Sequence, residues 1–163
     1  MFILCQNERR ADMAAQKADI IVMDGETMDL YTNPLEDYWA KNRKKRPPFY
    51  SLDVCRRGYI ASWAIRDGQL FLTDIEGDIE NRSLFGPKSK KCTLKTVFKK
   101  AGPEGVKAEW FSGKLRIPRG NMTQYEHNGY DSRFEREMII TVNKGDVIKV
   151  ATLDYTQKTL VVS

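Results

Sequence analysis

Arg57-Gly58-Tyr59-Ile60-Ala61-Ser62-Trp63-Ala64-Ile65-Arg66-Asp67-Gly68-Gln69-Leu70-Phe71-Leu72-Thr73-Asp74-Ile75 is the stretch that decides the fold. Over Tyr59–Ile65 one alternating set holds Tyr59, Ala61, Trp63 and Ile65, and the other holds Ile60, Ser62 and Ala64. Both sets are largely apolar or small, as in a strand covered on two sides. Asp67-Gly68 tolerates the positive φ that tight hairpin turns require. Gln69–Ile75 is therefore expected to return as the partner strand, and this hairpin to form the centre of a sheet.

Further hairpins flank it. Asp19–Met23 and Thr27–Thr32 surround Asp24-Gly25-Glu26, a second such turn. Val106–Phe111 is expected to pair through Ser112-Gly113 with Lys114–Ile117, where Leu115 and Ile117 alternate with Lys114 and Arg116. Glu137–Val142 pairs through Asn143-Lys144-Gly145-Asp146 with Val147–Leu153, and a short strand near Thr159–Val162 would close the sheet.

Two helices interrupt the strands. Asn33-Pro34-Leu35-Glu36 combines a cap, a proline at the first helical position and a carboxylate three residues after the cap. Leu35, Tyr38 and Trp39 follow at helical spacing and should pack inward, and Pro47-Pro48 stops the helix. In residues 92–101, Leu94, Val97, Phe98 and Ala101 keep helical spacing up to Gly102-Pro103, with the lysines largely off that face. The fold read from these elements is mainly β: antiparallel hairpins in a curled sheet or barrel, with two short α-helices.

The chain has 163 residues, 41% hydrophobic and 30% charged, which suits one globular domain over 19–163 behind a poorly patterned segment, 1–18. No apolar run approaches the ~20 residues of a membrane span, and the N-terminal charge order is not that of an export signal. Cys5, Cys55 and Cys92 are an odd, widely spaced set with no Cys-x-x-Cys pair. They read as reduced thiols of a cytoplasmic protein, with no metal and no cofactor implied. The net charge is +5, and residues 88–100 alone hold 6 lysines and no acid. The excess is therefore local.

The stretch Pro118–Glu135 carries the densest set of polar and aromatic side chains. It reads as a long connection between two strands, and connections beyond ~12–15 residues inside a domain are usually functional. Arg119, Tyr125, His127, Tyr130 and Arg133 are its candidate ligand-binding residues, joined by Arg116 on the preceding strand, because guanidinium, phenol and imidazole groups bind anions and polar ligands. The competing reading is a packed loop whose tyrosines fill its interior and whose arginines pair with Glu126, Asp131 and Glu135.

Three residues are candidates for catalysis. His127, the single histidine, suits general acid/base work at neutral pH. Cys55 lies beside Arg56-Arg57, and cationic neighbours activate thiols. Glu135, or Glu109, could orient His127 in such an arrangement. The lysine-rich segments Lys41–Arg46 and Lys88–Lys100 could track phosphates, but no nucleic-acid-binding motif accompanies them, and solvated helix faces explain them as well.

Asn33-Pro34-Leu35-Glu36, the stretch from Arg57 to Ile75, Trp110-Phe111-Ser112-Gly113-Lys114-Leu115-Arg116-Ile117-Pro118-Arg119-Gly120 and Tyr125-x-His127-x-Gly129-Tyr130-x-Ser132 occur in this order. In this they resemble a family of small uncharacterised, mostly bacterial proteins over most of residues 24–150. The resemblance implies no activity, ligand or catalytic residue. The lysines of residues 88–100 are a departure from that family's pattern. The residues thus leave three functional classes: a non-enzymatic module that binds a polar or anionic ligand or a partner protein through 118–135, an enzyme using His127, and a nucleic-acid binder using the lysine segments.

Overall fold

A computed structural model describes residues 14–157. The elements are β1 (Asp19–Met23), β2 (Glu26–Leu30), α1 (Pro34–Lys41), a 3-10 turn (Arg43–Lys45), β3 (Tyr59–Arg66), β4 (Gln69–Ser83), β5 (Gly86–Cys92), α2 (Leu94–Val97), β6 (Val106–Lys107), β7 (Gly113–Gln124), β8 (Arg133–Asn143) and β9 (Asp146–Asp154). The fold is mainly β with two short helices, as the sequence indicates. The expected strand at Thr159–Val162 and the first 13 residues lie outside the described residues.

The sheet runs β2-β1-β3-β4-β9-β8-β7, with β5 and β6 also on β4. Every pairing is antiparallel except β1 with β3. The β3–β4 hairpin forms as its turn residues demand: Asp67 and Gly68 sit at φ 52° and 69°. The chain between β2 and β3, including α1, makes the crossover that a parallel pair needs.

The sheet curls until its ends meet. The N–H of Tyr31, just past β2, donates to the Arg116 carbonyl of β7 at 2.8 Å, and the Arg116 N–H donates to Thr32 Oγ1 at 2.9 Å. It does not close into a barrel. β9 meets β4 at one pair, Gln69 with Asp146; β6 then takes Phe71 and Leu72 on β4, and β5 takes Gly77 onward.

Trp63, Tyr59, Ile21, Leu30, Leu35, Leu70, Leu72, Ile75, Leu115, Ile117 and Ile140 fill the inside, each at most 1% exposed. Leu35 and Trp39 seat α1 on this core with Tyr38 beside them, as their spacing requires. Burying a Leu- or Phe-sized side chain contributes roughly 1.5–3 kcal/mol, so these contacts, not helix propensity, hold an eight-residue helix in place.

Several local expectations are corrected. The pairing of Val106–Phe111 with Lys114–Ile117 does not occur. β6 joins β4 instead, and the Ala108 N–H donates to the Leu70 carbonyl at 2.9 Å. The helix in 92–101 is a single turn. Leu94, Val97, Phe98 and Ala101 still reach the core, but the chain leaves the helix at Phe98. Residues 86–92, lysines included, form β5. Asn33 makes no side-chain cap on α1; its Nδ2 donates to Tyr130 Oη at 3.0 Å. Glu36 is drawn away from the cap as well, accepting from Tyr59 Oη at 2.6 Å and Arg46 Nη1 at 2.8 Å.

Candidate binding cleft on the β7–β8 hairpin

The stretch 118–135 is not one long loop. β7 continues to Gln124 and β8 begins at Arg133, so only 125–132 lies between them. Register shifts between Arg119 and Met122, and again before Gln124, bend this end of the hairpin. The loop folds over the bend. The Glu126 N–H donates to Ser132 Oγ at 2.9 Å, and the Asp131 N–H donates to the Asn128 carbonyl at 3.0 Å.

Arg116 holds the loop down. Its Nη1 donates to the Tyr130 carbonyl at 2.5 Å, Nη2 to the Ser132 carbonyl at 3.0 Å, and Nε to Glu137 Oε1 at 2.7 Å. The guanidinium also lies 5.4 Å from the Tyr31 ring centroid. Tyr130 stacks on Tyr31 at 4.8 Å, and its hydroxyl donates to the Lys17 carbonyl at 3.0 Å. The main chain at Gln16 adds a bond from its N–H to the Gly129 carbonyl at 3.0 Å. The loop is thus tied to β1's approach, to β2's end and to β7.

Between the loop and the end of β9 lies a cleft of about 670 Å³. Tyr130, Phe134 and Tyr155 give it aromatic walls, and Arg116, Asp131, Arg133 and Glu137 give it charge. The volume falls in the range of small-molecule sites, about 300–1,000 Å³. Two of its charges are spent: Arg116 and Glu137 pair, and Tyr155 Oη donates to Glu137 Oε2 at 3.2 Å. Asp131 accepts from Asn128 Nδ2 at 2.9 Å. Arg133 is exposed and has no ion-pair partner among the described residues. It is the cation left to meet a ligand. Burial, then the Glu137 charge, raises the pKa of Tyr155. Burial also raises that of Tyr130, with Arg57 opposing. At neutral pH both phenols are therefore hydroxyl groups, not bases.

The sequence candidates divide by place. Arg116, Tyr130 and Arg133 line this cleft. Arg119 does not; it pairs with Glu26 at 2.6 Å and lines a separate groove with Gly120 and Arg136. Tyr125 and His127 are exposed and meet each other, Oη to Nδ1 at 3.0 Å, and neither lines the cleft. Glu135 lies 3.5 Å from Arg136. Cys55 is buried, donates to the Tyr59 carbonyl at 3.3 Å, and lines a different cleft of about 400 Å³ with Glu76 and Asp78. His127, Cys55 and Glu135 thus share no cleft, and Glu109 is exposed on the connection after β6. No group of three or more His, Cys, Asp or Glu among the described residues could hold a metal ion.

Tyr155 and Glu137 are cleft residues that sequence reasoning missed. Tyr155 follows the last residue of β9 and Glu137 lies in mid-β8, and neither belongs to a motif. A second polar cluster was missed too. Asp19, fully buried, accepts from Arg57 Nη2 at 2.8 Å, the Ala61 N–H at 3.0 Å and Trp63 Nε1 at 3.1 Å. Burial raises the Asp19 carboxyl above the ordinary range, with Arg57 the largest opposing influence. Its signal was present: Asp19 has the inward parity of Ile21, and an inward carboxylate needs a buried cation.

Family models, curated proteins and solved structures were all compared with this chain, and none matches.

Proposed function

We propose that this chain is a non-enzymatic binding module that takes a polar ligand through the cleft on the β7–β8 hairpin. The ligand carries an acidic group, either as a small molecule or as a side chain of a partner protein. The observation that carries this reading is Arg133, an unpaired guanidinium set among Tyr130, Phe134 and Tyr155. A carboxylate or phosphate would take paired hydrogen bonds from Arg133, and a flat or apolar body would lie against the rings. Arg116 serves as the positioning residue, since its donors are committed to the loop and to Glu137. The buried free thiols Cys55 and Cys92 suit a reducing cytoplasm, and no helix among the described residues is long and apolar enough to cross a membrane.

A thermal-shift panel tests the reading. The probes are acetate, benzoate, 4-hydroxyphenylacetate, inorganic phosphate, phenyl phosphate and short Glu- and Tyr-containing peptides. Ring-bearing anions should raise the midpoint, since a ligand at 100 times its Kd adds about 2.7 kcal/mol. Arg133→Ala should remove the shift, whereas Arg119→Ala and His127→Ala should keep it. A shift that survives Arg133→Ala and disappears in His127→Ala would overturn the assignment.

A further inference from the structure

The two lysine-rich segments lie far apart in sequence, yet the fold brings one lysine of the first and two of the second to one place. Lys45 from the 3-10 turn, Lys99 and Lys100 from the turn after α2, and Lys107 from β6 line a cleft of about 560 Å³. Tyr38 and Phe98 give it an aromatic floor, their centroids 5.0 Å apart. Trp110 stacks against Phe98 at 5.9 Å and 13°. Among the described residues, no Asp or Glu lines the cleft. Lys107 reaches Asp146 at 2.8 Å, while Lys45, Lys99 and Lys100 have no ion-pair partner among the described residues.

The alternative account of these lysines is solvated helix faces and helix-end complementarity. It does not fit their positions. α2 is a single turn that ends at Val97, before Lys99 and Lys100, and Lys45 follows α1 in a three-residue 3-10 turn. None of Lys45, Lys99 and Lys100 lies on an α-helix. What the fold does build is a concave cationic surface over half-buried rings.

We propose that this cleft binds single-stranded nucleic acid, with the lysines on successive phosphates and a base laid against Tyr38 and Phe98. Lysines neutralise phosphates and release counterions, whereas aromatic faces accept any unpaired base. A duplex keeps its base faces covered and could use only the lysines. The site is separate from the β7–β8 cleft, so either proposal stands or falls without the other.

The test measures binding of a labelled oligo-dT strand to the full chain across a salt series. Single strands lose affinity with a log–log slope of roughly −0.7 per phosphate neutralised, so three or four lysines give about −2 to −3. Lys99→Glu with Lys100→Glu should weaken binding about tenfold or more at low salt and flatten the slope by about 1.4. Lys88→Glu with Lys90→Glu makes the same charge change on β5, outside the cleft, and should leave both within about threefold. The strand should quench Trp110, and thymidine monophosphate should compete better than inorganic phosphate. Equal losses in the two charge variants would overturn the site. So would a duplex or a poly-glutamate peptide binding as well as the strand, or no binding at low salt.

Discussion

Asp19 and Arg57 carry the residue-scale argument. A fully buried carboxylate is tolerable here because Arg57, the Ala61 N–H and Trp63 Nε1 all donate to it. Removing one partner of a buried pair leaves the other uncompensated, at a cost of about 3–5 kcal/mol. Arg57→Ala should therefore destabilise by that amount in urea unfolding. A loss under about 1 kcal/mol would show that solvent reaches Asp19. Arg116 makes a different prediction. Its guanidinium holds 125–132 through the Tyr130 and Ser132 carbonyls, so Arg116→Ala should speed amide exchange there and spare the core strands. The residue types in 118–135 and on the strand before it told part of this in advance: Arg116, Tyr130 and Arg133 line one cleft. They could not tell that Arg119 would be taken by Glu26, because that partner comes from a distant strand.

The turns and strand pairings show where patterns suffice and where they fail. Asp67-Gly68 needs positive φ at both residues whatever surrounds it, so a local signal was enough. Val106–Lys107 shows the opposite case. Its alternation fits pairing with β7 or with β4 equally well, and the decision falls to a contact remote in sequence. Gly105 makes that contact at φ 89°, where an added Cβ would lie within overlap distance of the Leu72 carbonyl. Gly105→Ala should thus cost more than the roughly 1–3 kcal/mol of backbone strain alone. Gly68→Ala, at φ 69° with nothing near its Cβ, should cost the strain and no more. Equal losses in the two variants, read by thermal or urea unfolding, would contradict the β6–β4 packing. The end of the helix in 92–101 was equally illegible. Its apolar spacing is genuine, but the core needs only one turn there before Phe98 reaches Tyr38 and Trp110.

Across the whole molecule, one curled, unclosed sheet buries Tyr59 and half-buries Tyr31 and Tyr130. Burial raises Tyr59 far above the ordinary phenol value, and burial raises Tyr31, Tyr130 and Tyr155 as well. The folded chain then holds protons that the unfolded chain releases near pH ~10. This contribution is full below that pH and is lost as pH rises above it. Stability should fall between about pH 9 and 11, and the fall should be shallower in Tyr59→Phe. Stability rising over that range would contradict the burial of these phenols. The most direct test of the central claim is amide chemical-shift mapping of the wild-type chain titrated with phenyl phosphate. The account expects perturbations over Thr123–Phe134 and at Tyr155, the two sides of the cleft, with Arg133→Ala abolishing them. Perturbations centred elsewhere, or the same map in Arg133→Ala, would contradict it.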